Sequence, residues 1–162
     1  VLPRPIQRPL PIWISTATDP RKPKMTARAL HRVARYADGW MTINRPPELF
    51  AENLLDIRRY AREMGRELSA DFEACLYLNI NVNDSDEEAF QACKRFLDQY
   101  YQHDFSRAEV EMCAIFGPPQ VCVERLQQFV QAGATTFVLR LIGPDEQRQF
   151  ERITEKVLMA FQ

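Results

Sequence analysis

The chain has 162 residues, 21 Lys and Arg against 22 Asp and Glu, and a formal net charge of −1, with 46% of its residues hydrophobic. That length allows one domain with a core, and the balanced charge gives no general reason to expect nucleic acid or an anionic membrane as partner. No apolar run approaches the roughly 20 residues of a spanning helix, and the N-terminal stretch is rich in proline and arginine rather than shaped like a signal peptide.

Residues 1–10 read as a proline-rich lead-in to a single domain over 1–162. Pro3, Pro5, Pro9 and then Pro11 favour an extended path, as if the chain came into its first strand from something upstream. Four β-rich runs follow, Ile12 to Ser15, Gly39 to Ile43, Phe72 to Val82 and Thr135 to Ile142, each succeeded by helical periodicity. Strands alternating with helices predict a parallel sheet covered by helices, an α/β fold.

The first helix is expected from Thr26 as N-cap, with Ala27, Leu30, Ala34 and Ala37 as its apolar stripe and Gly39 as a left-handed stop. The second starts at Pro46 and Pro47, buries Phe50, Leu54, Ile57, Ala61 and Met64, and closes at Gly65. A capping box, Ser85 with Glu88, opens the third, whose inward face is Ala89, Cys93, Phe96 and Tyr100. Pro118 and Pro119 start a fourth that runs to Gly133. Asp145 and Glu146 start a fifth with Phe150, Ile153, Val157 and Ala160 inward. The cysteines Cys75, Cys93, Cys113 and Cys122 form no C-x-x-C pair and fall inside these patterns, which predicts buried thiols in a reduced, cytoplasmic setting.

In the third strand Leu76, Leu78, Ile80 and Val82 alternate with Cys75, Tyr77, Asn79 and Asn81, so its two faces differ in chemistry. The aliphatic face is expected to pack on helices, leaving Tyr77, Asn79 and Asn81 on the opposite side. Arg140 interrupts the fourth strand in the same way. In a closed barrel the polar side is the interior, whereas in an open sheet with helices on both faces it would be costly to bury.

The strings PIWIS at 11–15 and ALHRVARYADGWMT at 29–42, then LYLNINVNDSDEEAFQACKRFLDQYY and FGPPQVCVERLQQFVQAGATTFVLRLIGPDEQ, resemble the bacterial luciferase-like superfamily of flavin- and deazaflavin-dependent oxidoreductases. The resemblance covers nearly the whole chain. It implies half of a TIM (β/α)8 barrel, about four parallel strands each followed by helices, matching strands five to eight with the first four absent. It also implies FMN or a deazaflavin as cofactor, a small-molecule substrate, and an oxidoreductase or monooxygenase whose direct catalytic residues lie in the missing half. This chain alone is then expected to be inactive.

What the resemblance carries onto this chain is part of the cofactor phosphate site. Ser15 and Thr16 stand at the turn after the family's fifth strand, with Thr18 nearby and Arg21, Lys22 and Lys24 adding positive potential. Many family members have a glycine pair where Ser15 and Thr16 stand here. Trp40 could stack near a ring at the barrel mouth or serve as a core residue. Asn79 and Arg140 are candidate contacts from the polar strand face, Arg140 because a guanidinium in a strand needs a partner. His31 on a helix's polar face and His103 in a connection read as exposed or locally bonded histidines.

A different class of function is a noncatalytic half-barrel that self-associates and binds a flavin-like ligand or none. Open sheet edges and an uncovered face favour a homodimer or union with a missing N-terminal half. A doubly wound nucleotide-binding domain finds no support, since no GxGxxG or GxxxxGK[ST] string follows any strand.

Overall fold

The computed structural model describes residues 4, 6, 9–43 and 45–161, so Pro3 and Pro5 of the lead-in fall outside the described residues. The main strands are β1 (Trp13–Ser15), β2 (Gly39–Ile43), β3 (Glu73–Val82) and β5 (Thr136–Leu141), with a short β4 (Ala114–Gly117) before the last. The helices are α1 (Pro23–Tyr36), α2 (Pro47–Glu63), α3 (Asp86–Tyr101), α4 (Arg107–Cys113), α5 (Pro119–Gln131) and α6 (Glu146–Lys156), closed by a 3-10 turn at Leu158–Phe161.

All strand pairs are parallel, and β1, β2, β3 and β5 lie side by side as in half of a TIM barrel. β3 is the hinge of the sheet. Its lower part pairs with β2, from Gly39 opposite Glu73 to Ile43 opposite Tyr77, and its upper part pairs with β4, from Asn79 opposite Ala114 to Val82 opposite Gly117. The carbonyls of Ala74 and Ile80 accept from Thr135 and Ile142 on the β5 side, while the Asn83 amide donates to Gly117. Successive residues of a strand address opposite edges, so β4 continues the edge that β2 leaves vacant.

One layer follows from the aliphatic parity. Ala74, Leu76, Leu78, Ile80 and Val82 share a core with Leu30 and Val33 of α1, Phe50, Leu54 and Ile57 of α2, Leu126 and Phe129 of α5, and Ile153 of α6. This is the outer face of the half-barrel. The other parity forms a second core, in which Ala114, Phe116 and Ile142 meet Ala89, Phe90, Cys93 and Leu97 of α3 and Val110 and Cys113 of α4. The face expected to be uncovered is therefore covered over β4 and the C-terminal parts of β3 and β5, while Val138 of β5 stays exposed, because α3 carries an apolar stripe that needs a surface. Over β1 and β2, Trp13, Met41 and Ile43 stay half-buried and Ser15 exposed.

Several local expectations are corrected. α1 begins at Pro23, three residues before Thr26; the Thr26 hydroxyl instead accepts from the Asp19 amide at 3.0 Å and donates to its carbonyl at 2.9 Å, closing the preceding loop. Gly39 does not stop a helix. A Cβ there would lie 2.6 Å from the Trp13 indole nitrogen, so glycine is needed for the ring to cross β2. Gly65, with φ +71, is the left-handed stop expected for α2. Ser85 accepts from the Glu88 amide, but Glu88 bonds Asn83 rather than returning to Ser85; the complete capping box is at Ser106 and Glu109, opening α4. Tyr100 is 56% and Phe150 61% exposed, and Ala160 is exposed too, so none of the three faces inward; Gln149 is buried in place of Phe150.

Candidate cofactor site

The C-terminal ends of β1 and β2 meet at a polar latch. The Thr18 hydroxyl, buried, accepts from Asn53 Nδ2 of α2 at 2.8 Å and from Arg45 Nε at 3.3 Å, and Arg45 also donates to the Thr18 carbonyl. The Thr16 hydroxyl accepts from the Trp40 indole at 3.0 Å, and the Thr16 amide donates to the Met41 carbonyl. These bonds tie the segment after β1 to β2, to α2 and to the connection between them. A loop held by four residues in this way is kept in one conformation, which is what a binding loop requires.

These bonds divide the residues expected here into two kinds. Thr16 and Thr18 are buried and their hydroxyls accept from Trp40, Asn53 and Arg45, whereas Ser15 is exposed on the inner face at the tip of β1. Arg21 is engaged by Asp19 at 3.0 Å, and that guanidinium's hydrogen bond holds the Asp19 carboxyl below its usual range. Lys22 and Lys24 stay exposed beside it. Trp40 is fully buried on the outer face, its ring 4.9 Å from that of Phe50, so it is a core residue that steadies Thr16.

Asn79 and Arg140 stand opposite one another in register on the inner face. Asn79 Nδ2 donates to the Cys113 carbonyl at 2.8 Å, so it lies beneath the end of α4, and its Oδ1 has no partner among the described residues. The Arg140 guanidinium carbon sits 4.3 Å from the Tyr100 ring centre and 4.7 Å from that of Phe96. Cation–π contact with α3 is the partner that its position in a strand demanded.

Arg45 and Asn53 were not singled out in the sequence. Arg45 is half-buried, and burial lowers its pKa from the ordinary guanidinium value despite the opposing field of Asp19. A cation directly after a strand, at the C-terminal end of a parallel sheet, was the signal available for it. His31 stacks on Tyr60 at 3.7 Å and His103 lies 3.6 Å from Glu109, both exposed and neither bonded to a latch residue among the described residues. The four cysteines are free and buried; burial pushes the thiols of Cys93 and Cys122 up to about 12 and that of Cys75 to about 11.

The family model described as luciferase-like monooxygenase matches residues 1–136. The chain belongs to that family. Among solved structures it is similar to the coenzyme F420 dependent tetrahydromethanopterin reductase from Methanopyrus kandleri, with a TM-score of 0.73 and 17% identity over 94% of this chain and 51% of that one. An F420-dependent secondary alcohol dehydrogenase gives 0.74 and 16% identity over 92% and 48%, and the long-chain alkane monooxygenase LadA gives 0.64 and 18% over 96% and 42%. At such identities the likeness is one of fold, and the chain spans about half the length of these TIM barrels or less. A comparison with curated proteins finds no match. Among the described residues no helix is long and apolar enough to cross a membrane, and no group of His, Cys, Asp and Glu is placed to hold a metal ion.

Proposed function

We propose that this chain is the C-terminal half of a luciferase-like oxidoreductase using FMN or a deazaflavin, and that its β1–α1 loop is the wall that holds the cofactor phosphate. The observation that carries this reading is the latch on Thr18, which fixes an exposed hydroxyl, Ser15, and a half-buried cation, Arg45, at the C-terminal ends of adjacent parallel strands. In this reading Ser15 and the backbone amides of Ala17 and Thr18 donate to the phosphate, Arg45, Lys22 and Lys24 supply positive potential, and Thr16, Thr18, Asn53 and Trp40 hold the loop in shape. The bound cofactor supplies hydride transfer or oxygen activation. The chain's own residues bind, orient and exclude water, and the groups that act on substrate come from the other half of the barrel.

A pocket with one wall binds weakly, because affinity depends on preorganised contacts from both sides. The inner face over β1 and β2, with Trp13, Met41 and Ile43, is where a second copy of the chain or an N-terminal half would complete the barrel. The buried reduced thiols suit a cytoplasmic protein. Calorimetric titration with FMN, F420 and riboflavin tests the assignment: both phosphorylated cofactors bind weakly, riboflavin does not, and Arg45→Gln abolishes the difference. Equal binding of riboflavin and FMN would overturn it.

A second reading has its own observation. Because α3 and α4 pack on the inner face of β3, β4 and β5, the half-barrel already fills part of what would be its interior. A noncatalytic half-barrel that stands alone or pairs with itself fits that packing. Light scattering at micromolar concentration tests the pairing: a clean monomer mass argues against self-association, and a dimer supports it.

A further inference from the structure

The sheet has a gap, and on the outer face the gap is a cavity. β2 ends at Ile43, opposite Tyr77, and β4 starts at Ala114, opposite Asn79, so that Leu78 between them has no strand beside it on that edge among the described residues. A cavity of about 280 Å³ opens there, walled by Leu76, Leu78, Ile115 and Phe129 and lined further by Pro46 and Met112. Leu78, Ile115 and Phe129 are 6%, 7% and 4% exposed, where Ile57, Ile80 and Val82 of the same core are fully buried, so the cavity is reached from solvent. Every wall comes from this chain, and the site needs no second half of the barrel to complete it.

Volume and charge narrow what fits. A cavity of roughly 150 Å³ lined by Leu, Ile and Phe stays dry and takes benzene, so the larger space here suits a ring with a short substituent. Apolar walls bind such a body, and a few charged groups orient it. The lining has two cations, Arg45 and Arg125, and one carboxylate, Glu111. Glu111 is held by Arg107 at 3.1 Å, and Arg45 is committed to Thr18. Arg125, half-buried on α5, donates from one terminal nitrogen to Gln128 at 2.7 Å, its guanidinium carbon lies 5.7 Å from the centre of the Phe129 ring, and no carboxylate pairs with it among the described residues. A guanidinium set against an apolar wall selects a carboxylate, because its planar fork matches the two carboxylate oxygens.

We propose that this cavity binds a small hydrophobic carboxylate, its apolar body against Leu78, Ile115 and Phe129 and its carboxylate on Arg125. The anchor lies on α5, outside the Thr18 latch, so this ligand and the cofactor phosphate are read by different cations.

Titration of the whole chain with 3-phenylpropionate, 3-phenylpropan-1-ol and acetate, followed by methyl NMR, tests it. The acid is expected to bind about tenfold or more tightly than the alcohol of the same shape, acetate not measurably, and the methyl resonances of Leu78 and Ile115 to shift with the acid. Arg125→Gln brings the acid down to the affinity of the alcohol and leaves the alcohol as it was, and Arg125→Lys restores part of the difference. Equal affinity for acid and alcohol in the unaltered chain overturns the proposal without recourse to a variant. So do the absence of binding, acid binding indifferent to Arg125→Gln, and binding that leaves the Leu78 and Ile115 methyls unmoved. Acetate as tight as the acid overturns it as well, since a guanidinium at the surface would then account for the contact without the cavity.

Discussion

The two faces of one sheet are built on different terms. On the outer face, every second residue of β3 is aliphatic and meets α1, α2, α5 and α6 in one core; Thr42, opposite Leu76 in β2, is buried with a hydroxyl that has no partner among the described residues. On the inner face the same strand offers Tyr77, Asn79 and Asn81, and what covers it is one long helix, α3, with the seven-residue α4, anchored by amide and aromatic contacts. An aliphatic face can be covered by any helix with a matching stripe. A polar face can be buried only where each group finds a specific partner, so its cover is local and incomplete.

That contrast can be broken most forcefully on the outer face. Phe50→Ala removes a fully buried ring that touches both Trp40 and Phe129, and should cost about 3–5 kcal/mol in urea unfolding. A loss under about 1 kcal/mol would show that the outer core is not continuous across α2 and α5. Gly39→Ala tests the close crossing of Trp13 over β2. The added Cβ would fall 2.6 Å from the indole, and overpacking of this kind costs about 1–3 kcal/mol. Gly65→Ala meets nothing within 4 Å, so its smaller penalty reports the left-handed backbone alone.

On the inner face, Asn79→Leu leaves the Cys113 carbonyl without its donor while also removing an unpartnered Oδ1, and a net loss of about 1 kcal/mol is expected. A stabilised variant would mean that the amide is held there for function rather than for the fold. A further effect is one of pH, and it sums over three thiols. Burial holds Cys93 and Cys122 at about 12 and Cys75 at about 11 in the folded chain, above the ordinary 9.0. The neutral thiols therefore contribute stability that is intact below the unfolded value and is lost as pH rises from there toward the folded values, by at most ~1.4 kcal/mol per pH unit for each thiol. Urea melts at pH 8 and pH 10 should show the decline, with a shallower slope in Cys93→Ala. An identical slope in that variant would contradict the assignment.

The sequence made the outer face legible. Period-two alternation and the proline and glycine boundaries located β1, β2, β3 and β5 to within about a residue, because each is a local pattern bounded by local signals. The inner cover was less readable. α4 and β4 are seven and four residues long, too short for either period to register, and Tyr100 has the phase of a core residue but emerges where the helix runs past the edge of its surface. At the loop between β1 and α1, Ser15, Thr16 and Thr18 were singled out by resemblance. Arg45 and Asn53 were not, since they reach Thr18 across 27 and 35 residues of chain and no spacing rule spans that gap. Trp40 stood in a recognisable string, yet only the side of β2 it occupies assigns it to the core.

The claim on which the account rests is that this chain supplies the phosphate wall of a flavin or deazaflavin pocket and lacks the wall for the ring. Phosphorus NMR of FMN titrated with the purified chain, read together with flavin fluorescence on the same samples, tests it most directly. The account predicts a weak, saturable shift of the phosphate resonance that disappears in Arg45→Gln, with the ring fluorescence little changed. A phosphate resonance that does not move, or stoichiometric FMN with quenched fluorescence that survives gel filtration of this chain alone, would contradict it.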